Sequence, residues 1–267
     1  MSKLPFRIGT SSYIIPDDIV PNVRYLADKV QDIELVLFEV DDGPNNLPDA
    51  GVVRELNQLA AENDLTYTIH LPLDLRLGAE GDDQHISLQK ARKVIECTRD
   101  LNPFAYVMHL DGRDVKDAQD KNVIRHWEDQ AARAIEIAAG WAGGLSRLAV
   151  ENLEGYPLDF WESVLIRTGA GRCVDIGHLW RDGHDPISYL ERAFAQTRVL
   201  HIHGIAERDH KSLAHVPVGD LARVVEWLAR HKFGGVMTVE VFGEEDFISS
   251  MDALELAYSK IEGGIDG

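Results

Sequence analysis

The stretch LAVENLEGYPLDFWESVLIRTGAGRCVDIGH at residues 148–178 contains the repeating unit from which the fold can be inferred. A β-rich run ends in Glu151, an amphipathic helical pattern follows at 159–168, and a second β-rich run ends in Asp175. Parallel strands need a crossover connection of this kind, and a helix usually provides it. The stretch therefore predicts a β/α/β unit in which each strand ends in a carboxylate.

The same alternation extends along the whole chain. Strands are predicted at 6–10, 33–39, 66–70, 105–109, 148–151, 172–175, 199–203 and 235–240. Helices are predicted at 21–29, 52–62, 87–99, 122–139, 159–168, 186–194, 221–231 and 247–261. Eight strand–helix pairs use roughly 33 residues each, which is usual for a (β/α)8 barrel. We therefore predict an α/β protein with a single TIM-barrel domain over residues 1–267.

An open, doubly wound sheet would also alternate strands and helices. Such a sheet often carries a glycine-rich phosphate loop after its first strand. Here the corresponding segment, Ile8-Gly9-Thr10-Ser11-Ser12, has one glycine. The barrel is therefore the preferred prediction.

The balance of acidic and basic residues indicates which class of partner the chain binds. The chain has 45 Asp and Glu residues against 27 Lys and Arg, which gives a formal net charge of −18. Binding to DNA draws much of its free energy from contacts between phosphates and Lys or Arg. The composition therefore disfavours DNA and favours a small-molecule partner.

Three features of the sequence indicate the cellular location of the protein. Cys97 and Cys173 are too few for a disulfide framework. No apolar run approaches the roughly 20 residues that span a bilayer, and the first residues lack the apolar stretch of a signal peptide. The sequence thus predicts a cytoplasmic protein without a membrane partner.

Six consecutive predicted strands carry ionisable side chains at or just after their C-terminal ends. In chain order these are His70, His109, Glu151, Asp175 with His178, His203, and Glu240. A single histidine there is explained equally well by hydrogen bonding in the core, but the series is not. Crowded, desolvated carboxylates and imidazoles are costly, and a divalent cation removes that cost. Nitrogen and carboxylate ligands favour Zn²⁺, Mn²⁺, Fe²⁺ or Co²⁺ over Ca²⁺.

Other residues near these strand ends have two interpretations. His201 shares a strand face with His203 but lies one layer deeper, so it either supports a metal ligand or fills the barrel. Cys173 is predicted to be a small core residue. The loop after the seventh strand carries two further histidines, His210 and His215.

The order of these residues resembles the xylose isomerase-like TIM barrels, the superfamily that also contains the apurinic endonuclease family 2 enzymes. The resemblance covers nearly the whole chain. Its motifs are His70-Leu-Pro, His109, Glu151-Asn152, Asp175-x-x-His178, His203, His215 followed by Gly219, and Glu240.

This resemblance implies one of two chemistries. Sugar isomerases and epimerases of the superfamily move a proton beside a carbonyl with one metal, here held by Glu151, Asp175, His203 and Glu240. In its phosphodiesterases the same four residues hold one metal ion, and Glu151 bridges that ion to a second metal ion. That second metal would be bound by His70 and His109.

The phosphodiesterase pattern also implies a third metal, on His178 and His215. This sequence departs from the pattern at Leu213, where an aspartate is expected. The resemblance therefore implies two metal ions, with a third only if Asp209 or Asp220 substitutes.

Longer segments are similar to the cobamide-remodelling phosphodiesterases, which hydrolyse the nucleotide loop of vitamin B12-type corrinoids. These segments are 7–19, 21–27, 32–39, 67–78 and 103–109. The leading hypothesis is therefore metal-dependent hydrolysis of a cobamide phosphodiester, with Glu151 and Glu240 as catalytic residues. The alternatives are a sugar isomerase or epimerase and, last, a binding barrel with a structural metal.

Substrate contacts are expected from loops at the same rim. Asp74, Arg76 and Lys211 are predicted to touch the substrate, and a cation there could meet phosphate oxygens. Apolar side chains of the rim either line a corrinoid site or cap the barrel. They are Tyr13, Phe38, Leu73, Leu75 and Leu77.

Overall fold

The β-rich runs form a closed barrel of eight parallel strands within the described part of the chain. The computed structural model describes residues 4–39, 45–72, 75–76 and 83–265. Each strand pairs with its neighbour in chain order, and the last pairs with the first. The strands are β1 (Arg7–Ser11), β2 (Asp32–Val36), β3 (Thr66–His70), β4 (Tyr106–Met108), β5 (Leu148–Glu151), β6 (Gly171–Asp175), β7 (Thr197–Ile202) and β8 (Val236–Val239).

Among the described residues, nine α-helices connect these strands or follow the last one. They are α1 (Ile19–Leu26), α2 (Ala50–Asn63), α3 (Ile86–Thr98), α4 (Lys121–Ala142), α5 (Glu162–Thr168), α6 (Ile176–Arg181), α7 (Pro186–Ala193), α8 (Val218–Arg230) and α9 (Glu244–Ile265). The predicted (β/α)8 barrel is confirmed. The short α6, directly after β6, was not predicted. No helix in these ranges is long and apolar enough to cross a membrane.

The helices pack one apolar face against the outside of the barrel. In α8 the buried positions are Leu221, Val224, Val225 and Leu228, which are spaced three or four apart as one helix face requires. Burying each such side chain contributes about 1.5–3 kcal/mol. This outer core holds the strands, and therefore their C-terminal ends, in fixed positions.

The inside of the barrel has a small apolar layer below its C-terminal end. Its members are Ala105, Val107, Ala149, Cys173 and Val199, all buried. Cys173 is thus a core residue, as predicted. Because alternate side chains of a strand share a face, the next layer towards the C-terminal end carries the residues two positions further along. Along β4 to β7, that layer consists of His109, which directly follows β4, and of Glu151, Asp175 and His201.

Candidate metal centre

The register of the strands places the candidate metal ligands at different heights along the barrel axis. Asp175 of β6 is in register with His201 of β7, and both point into the barrel. His203 follows the end of β7 and lies one layer nearer the C-terminal rim. Histidines two residues apart therefore serve different parts of the site.

His70, His109 and Glu151 form the first set of donors, which we call the His70 group. Both imidazole Nε2 atoms face Glu151 Oε2, at 3.4 Å for His70 and 3.3 Å for His109. His70 Nδ1 lies 2.9 Å from the carbonyl oxygen of Leu71. Because a carbonyl only accepts, Nδ1 is the donor, which leaves the His70 Nε2 lone pair for a metal.

Glu151, Asp175, His201 and Glu240 form the second set, the His201 group. His201 Nδ1 lies 3.1 Å from Glu240 Oε2, 3.5 Å from Glu151 Oε2 and 4.0 Å from Asp175 Oδ2. His203 was predicted for this set, whereas the structure places His201 there. The register sets His201 level with Asp175, and His203 lies one layer nearer the rim, where it faces Asp175 Oδ1 at 3.3 Å.

His178, His203 and His210 form the third set, the histidine group. The ring centroids of His203 and His210 are 4.3 Å apart, and those of His178 and His203 are 5.5 Å apart. His178 Nδ1 donates to the carbonyl of Asn152 at 2.9 Å. His203 Nδ1 donates to the carbonyl oxygen of Gly204 at 3.2 Å, and His203 Nε2 faces Asp175 Oδ1 at 3.3 Å.

A close approach of α6 to β7 allows this histidine group to form. A Cβ added at Gly177 would lie 2.3 Å from two atoms of the His203 ring. The side chain of Asp175 accepts a hydrogen bond from the His178 N–H at 2.8 Å and so begins α6. One aspartate thus caps the helix and faces the donor groups.

His215, predicted as a ligand, is not brought to the cluster. It lies exposed in the short 3₁₀ turn Leu213–His215, and His210 takes the corresponding place. Neither proposed substitute carboxylate joins the histidine group. Asp209 pairs with Arg181, and Asp220 lies on α8, where it faces Arg223 at 3.9 Å. In the described residues the third set therefore consists of imidazoles alone.

Cys173 also comes within reach of Glu151 and His201. Burial raises the pKa of its thiol well above the usual value. Its side chain also packs in the apolar layer with Val107 and Ala149, and we therefore assign Cys173 to the core.

The charged donors influence one another strongly because they are buried. Burial alone would raise the pKa of Glu151, but the facing His201 and His109 hold it well below its usual value. The same opposition, between burial and the charges of His201 and His210, brings the pKa of Glu240 to about 2. Both carboxylates are therefore ionised at neutral pH.

Several polar atoms of the three groups lack a hydrogen bond to any described residue. They are Glu151 Oε2, Asp175 Oδ2, His201 Nδ1, His203 Nε2, His210 Nδ1 and Glu240 Oε2. Buried polar atoms are normally hydrogen-bonded, so atoms left without a partner require another explanation. They converge on one region and are all oxygen or nitrogen, which fits divalent transition ions.

Glu34 is a residue of this region that the sequence analysis missed as a site residue. It lies in the middle of β2, fully buried, and its Oε2 accepts a hydrogen bond from His201 Nε2 at 2.9 Å. The available signal was the charge itself, because a glutamate inside a predicted barrel strand needs a partner.

The two cations predicted to touch the substrate already form ion pairs with carboxylates. Arg76 is paired with Asp111 and Asp114, each at 3.1 Å, and Lys211 with Asp246 at 2.8 Å. Both cations are therefore partly neutralised. Asp74, together with Leu73 and Leu77, lies outside the described residues.

Two adjoining cavities open above the donors. One, of about 320 Å³, is lined by donors of all three groups together with Val36, Leu153, Glu154, Asp209 and Phe242. The other, of about 250 Å³, borders His70 and His109 and is otherwise lined by apolar side chains. They are Val36, Leu37, Phe38, Leu71 and Pro72. The site thus combines metal-ligand chemistry with an apolar neighbour.

Comparisons with known proteins agree on the architecture. A family model described as "Xylose isomerase-like TIM barrel" matches residues 27–258. No curated protein sequence matches the chain.

Solved structures with the same architecture have different activities in their names. A D-tagatose 3-epimerase-like protein superposes with a TM-score of 0.73 at 17% identity, over 97% of this chain and 100% of its own. Endonuclease IV from Thermus thermophilus also gives 0.73, at 19% identity, over 95% and 99%. The 3-keto-D-glucoside 4-epimerase YcjR from E. coli gives 0.67 at 14% identity, over 95% and 99%. At these identities the similarity establishes the fold and leaves the reaction open.

Proposed function

Because the chain belongs to the family of xylose isomerase-like TIM barrels, we propose that it is a divalent-metal-dependent phosphodiesterase. The observation that carries the proposal is the position of Glu151. Its Oε2 lies 3.4 Å and 3.3 Å from the imidazoles of His70 and His109 and 3.5 Å from that of His201. One carboxylate thus belongs to two donor sets, which suits two neighbouring ions.

In this proposal the His70 group and the His201 group each hold one ion of Zn²⁺, Mn²⁺, Fe²⁺ or Co²⁺. Such ions supply a nucleophile from water near neutral pH and stabilise charge on the phosphodiester oxygens. Glu151 and Glu240 are the catalytic carboxylates. Their pKa values lie below the usual range, so both are anionic at neutral pH and suited to bind cations. The histidine group offers donors for a third ion.

We propose the nucleotide loop of a cobamide as the phosphodiester. The apolar cavity beside His70 and His109 suits a substrate that carries a large apolar body next to its phosphate. Tyr13 and Phe38 add an aromatic pair that is 49% and 39% exposed, with ring centroids 5.8 Å apart. The net charge of −18 opposes a DNA duplex.

Mass spectrometry after incubation of the metal-loaded protein with an adenosylcobamide tests this function. We expect two products whose summed mass exceeds that of the substrate by one water. Parallel incubations contain a ketose and an oligonucleotide duplex with an abasic site. An unchanged corrinoid together with cleavage of the duplex would assign the site to DNA.

A second candidate, a sugar isomerase or epimerase, is favoured by the His201 group. Two glutamates, an aspartate and a histidine there suffice for one ion, and solved epimerases share the fold. The double variant His70→Ala plus His109→Ala separates the candidates. Loss of phosphodiester cleavage supports the first, whereas conversion of a ketose that persists in the variant with one bound ion supports the second.

A further inference from the structure

A buried glutamate on β2 reaches across the barrel to the His201 group. Glu34 and His201 are both fully buried, on strands that are not neighbours in the sheet. Glu34 Oε2 accepts a hydrogen bond from His201 Nε2 at 2.9 Å. The contact therefore fixes the histidine ring from the side opposite to the other carboxylates.

That contact determines which ring nitrogen of His201 is free. An ionised carboxylate only accepts, so the proton of the neutral ring lies on Nε2 and the lone pair on Nδ1. Nδ1 is the atom that faces Glu240 at 3.1 Å and Glu151 at 3.5 Å. We propose that Glu34 is a positioning residue that orients His201 and fixes its tautomer for metal binding.

A purely structural buried ion pair does not account for all of the geometry. Among the described residues, His201 Nδ1 and Glu34 Oε1 have no hydrogen-bond partner, so the pair alone leaves polar atoms unsatisfied. Carboxylates that hold a metal-ligating histidine in this way raise its basicity and typically contribute 10–100-fold to metal affinity. The inference rests on metal binding in the proposed function, and it is independent of the substrate.

Competition with a chromophoric chelator, which measures Zn²⁺ affinity and stoichiometry, tests the role of Glu34. In Glu34→Gln, an amide oxygen facing His201 has no charge, and an amide N–H facing it reverses the tautomer. We expect the affinity for one of the bound ions to fall about 10–100-fold while the others are retained. The visible absorption of the Co²⁺ form should change as well.

Asp32→Asn is the matched control. Asp32 is also a fully buried carboxylate of β2, but it bonds Thr66 at 2.6 Å and is absent from the donor groups. Its variant should bind Zn²⁺ like the wild type. Equal affinities of wild type and Glu34→Gln, or equal losses in both variants, would overturn the positioning role.

A double-mutant cycle separates action through His201 from a general effect on the barrel. In a His201→Ala background, Glu34→Gln should cause no further loss of Zn²⁺ affinity, and an additional tenfold loss there would contradict the inference. If His201→Ala does not fold, the Co²⁺ spectrum of Glu34→Gln decides. A wild-type protein that binds no Zn²⁺ would instead refute the proposed function itself, and the inference with it.

Discussion

Glu151 contributes to both the His70 group and the His201 group, so its replacement tests both at once. Glu151→Gln keeps the size of the side chain and removes its charge. We expect loss of two bound ions and a fall in kcat/KM of more than about 100-fold, because even residues that merely support a ligand contribute 10–100-fold. Metal analysis and steady-state kinetics check this, with circular dichroism to confirm the fold.

His215→Ala is the histidine control for that experiment. His215 is exposed on the Leu213–His215 turn and stands apart from the three donor groups. Metal content and kcat/KM should stay within about twofold of the wild type, since surface substitutions away from special features have small effects. A loss comparable to that of Glu151→Gln would return His215 to the site.

Asp32 predicts a pH dependence of stability. Burial raises its pKa from 3.8 to about 7, so the folded protein keeps a proton that the unfolded chain releases between those values. The stabilising contribution of that proton is therefore present at low pH and lost as pH rises through 7. Asp32→Asn should become more stable relative to the wild type as pH rises, by up to about 4 kcal/mol.

Urea unfolding of the metal-free proteins at pH 5 and pH 8 measures the part of this change that lies between those values, about 3 kcal/mol. Asp28→Asn serves as the control, because the Asp28 side chain is 80% exposed and has no buried proton to lose. If the stability difference between Asp32→Asn and wild type is the same at both pH values, Asp32 is already ionised in the folded protein.

The short helix α6 connects two donor groups, since it begins at Asp175 and carries His178. Gly177→Ala tests its packing against β7, because the new Cβ would lie 2.3 Å from the His203 ring. We expect a stability loss of about 1–3 kcal/mol from overpacking. Metal binding by the histidine group should weaken, while the other two groups keep their ions.

Gly219→Ala provides the comparison within another helix. Gly219 lies in the first turn of α8, and a Cβ there would meet nothing within 4 Å. This variant should be more stable than the wild type by up to about 1 kcal/mol, because alanine restricts the unfolded chain, and it should match the wild type in metal stoichiometry by mass spectrometry. If Gly177→Ala keeps the wild-type stability and the wild-type metal stoichiometry of the histidine group, the His203 ring moves aside without loss of stability.

Secondary-structure elements differ in how far they follow from the sequence. The strand ends at His70, Glu151 and Asp175 were predictable, because apolar runs and the polar residue that ends them are local patterns. Helix α6 has six residues, too few for a helical period to stand out. The start of α6 depends on the capping contact of Asp175, and only the structure shows that contact.

The assignment of histidines to donor groups could be predicted only in part. His201 and His203 share a strand face, so sequence alone cannot say which of them is level with Asp175; the closed barrel decides it. The choice of His210 over His215 depends on an antiparallel bridge between Gly204 and Lys211, which turns His210 back towards the site. Both decisions are made by tertiary contacts.

The charge of the whole molecule has two components. The net charge of −18 includes Glu34, Glu151, Asp175 and Glu240, which surround His201 inside the barrel and would be offset by bound cations. Carboxylates exposed on the surface repel polyanions. A small phosphodiester approaching the site would therefore meet less negative charge there than on the surface.

Metal removal should therefore affect the stability of the whole protein. Ions bind the folded barrel, where the donors converge, and hardly the unfolded chain. Each occupied site then adds about 2.7 kcal/mol at an ion concentration of 100 Kd. For a chain of this size we expect removal of the two proposed ions by EDTA to lower Tm by roughly 10–20 °C. Zn²⁺ or Mn²⁺ in excess over the chelator should restore the original value.

Thermal scans with and without EDTA measure this shift, and Glu151→Gln supplies the internal reference. Because that variant lacks the carboxylate common to two groups, its Tm should respond to EDTA and to added ions much less than that of the wild type. If EDTA leaves the wild-type Tm unchanged although metal analysis shows that the ions have gone, the donors are held by the barrel alone. The carboxylates and imidazoles would then have to balance one another without the cations that the site is proposed to bind.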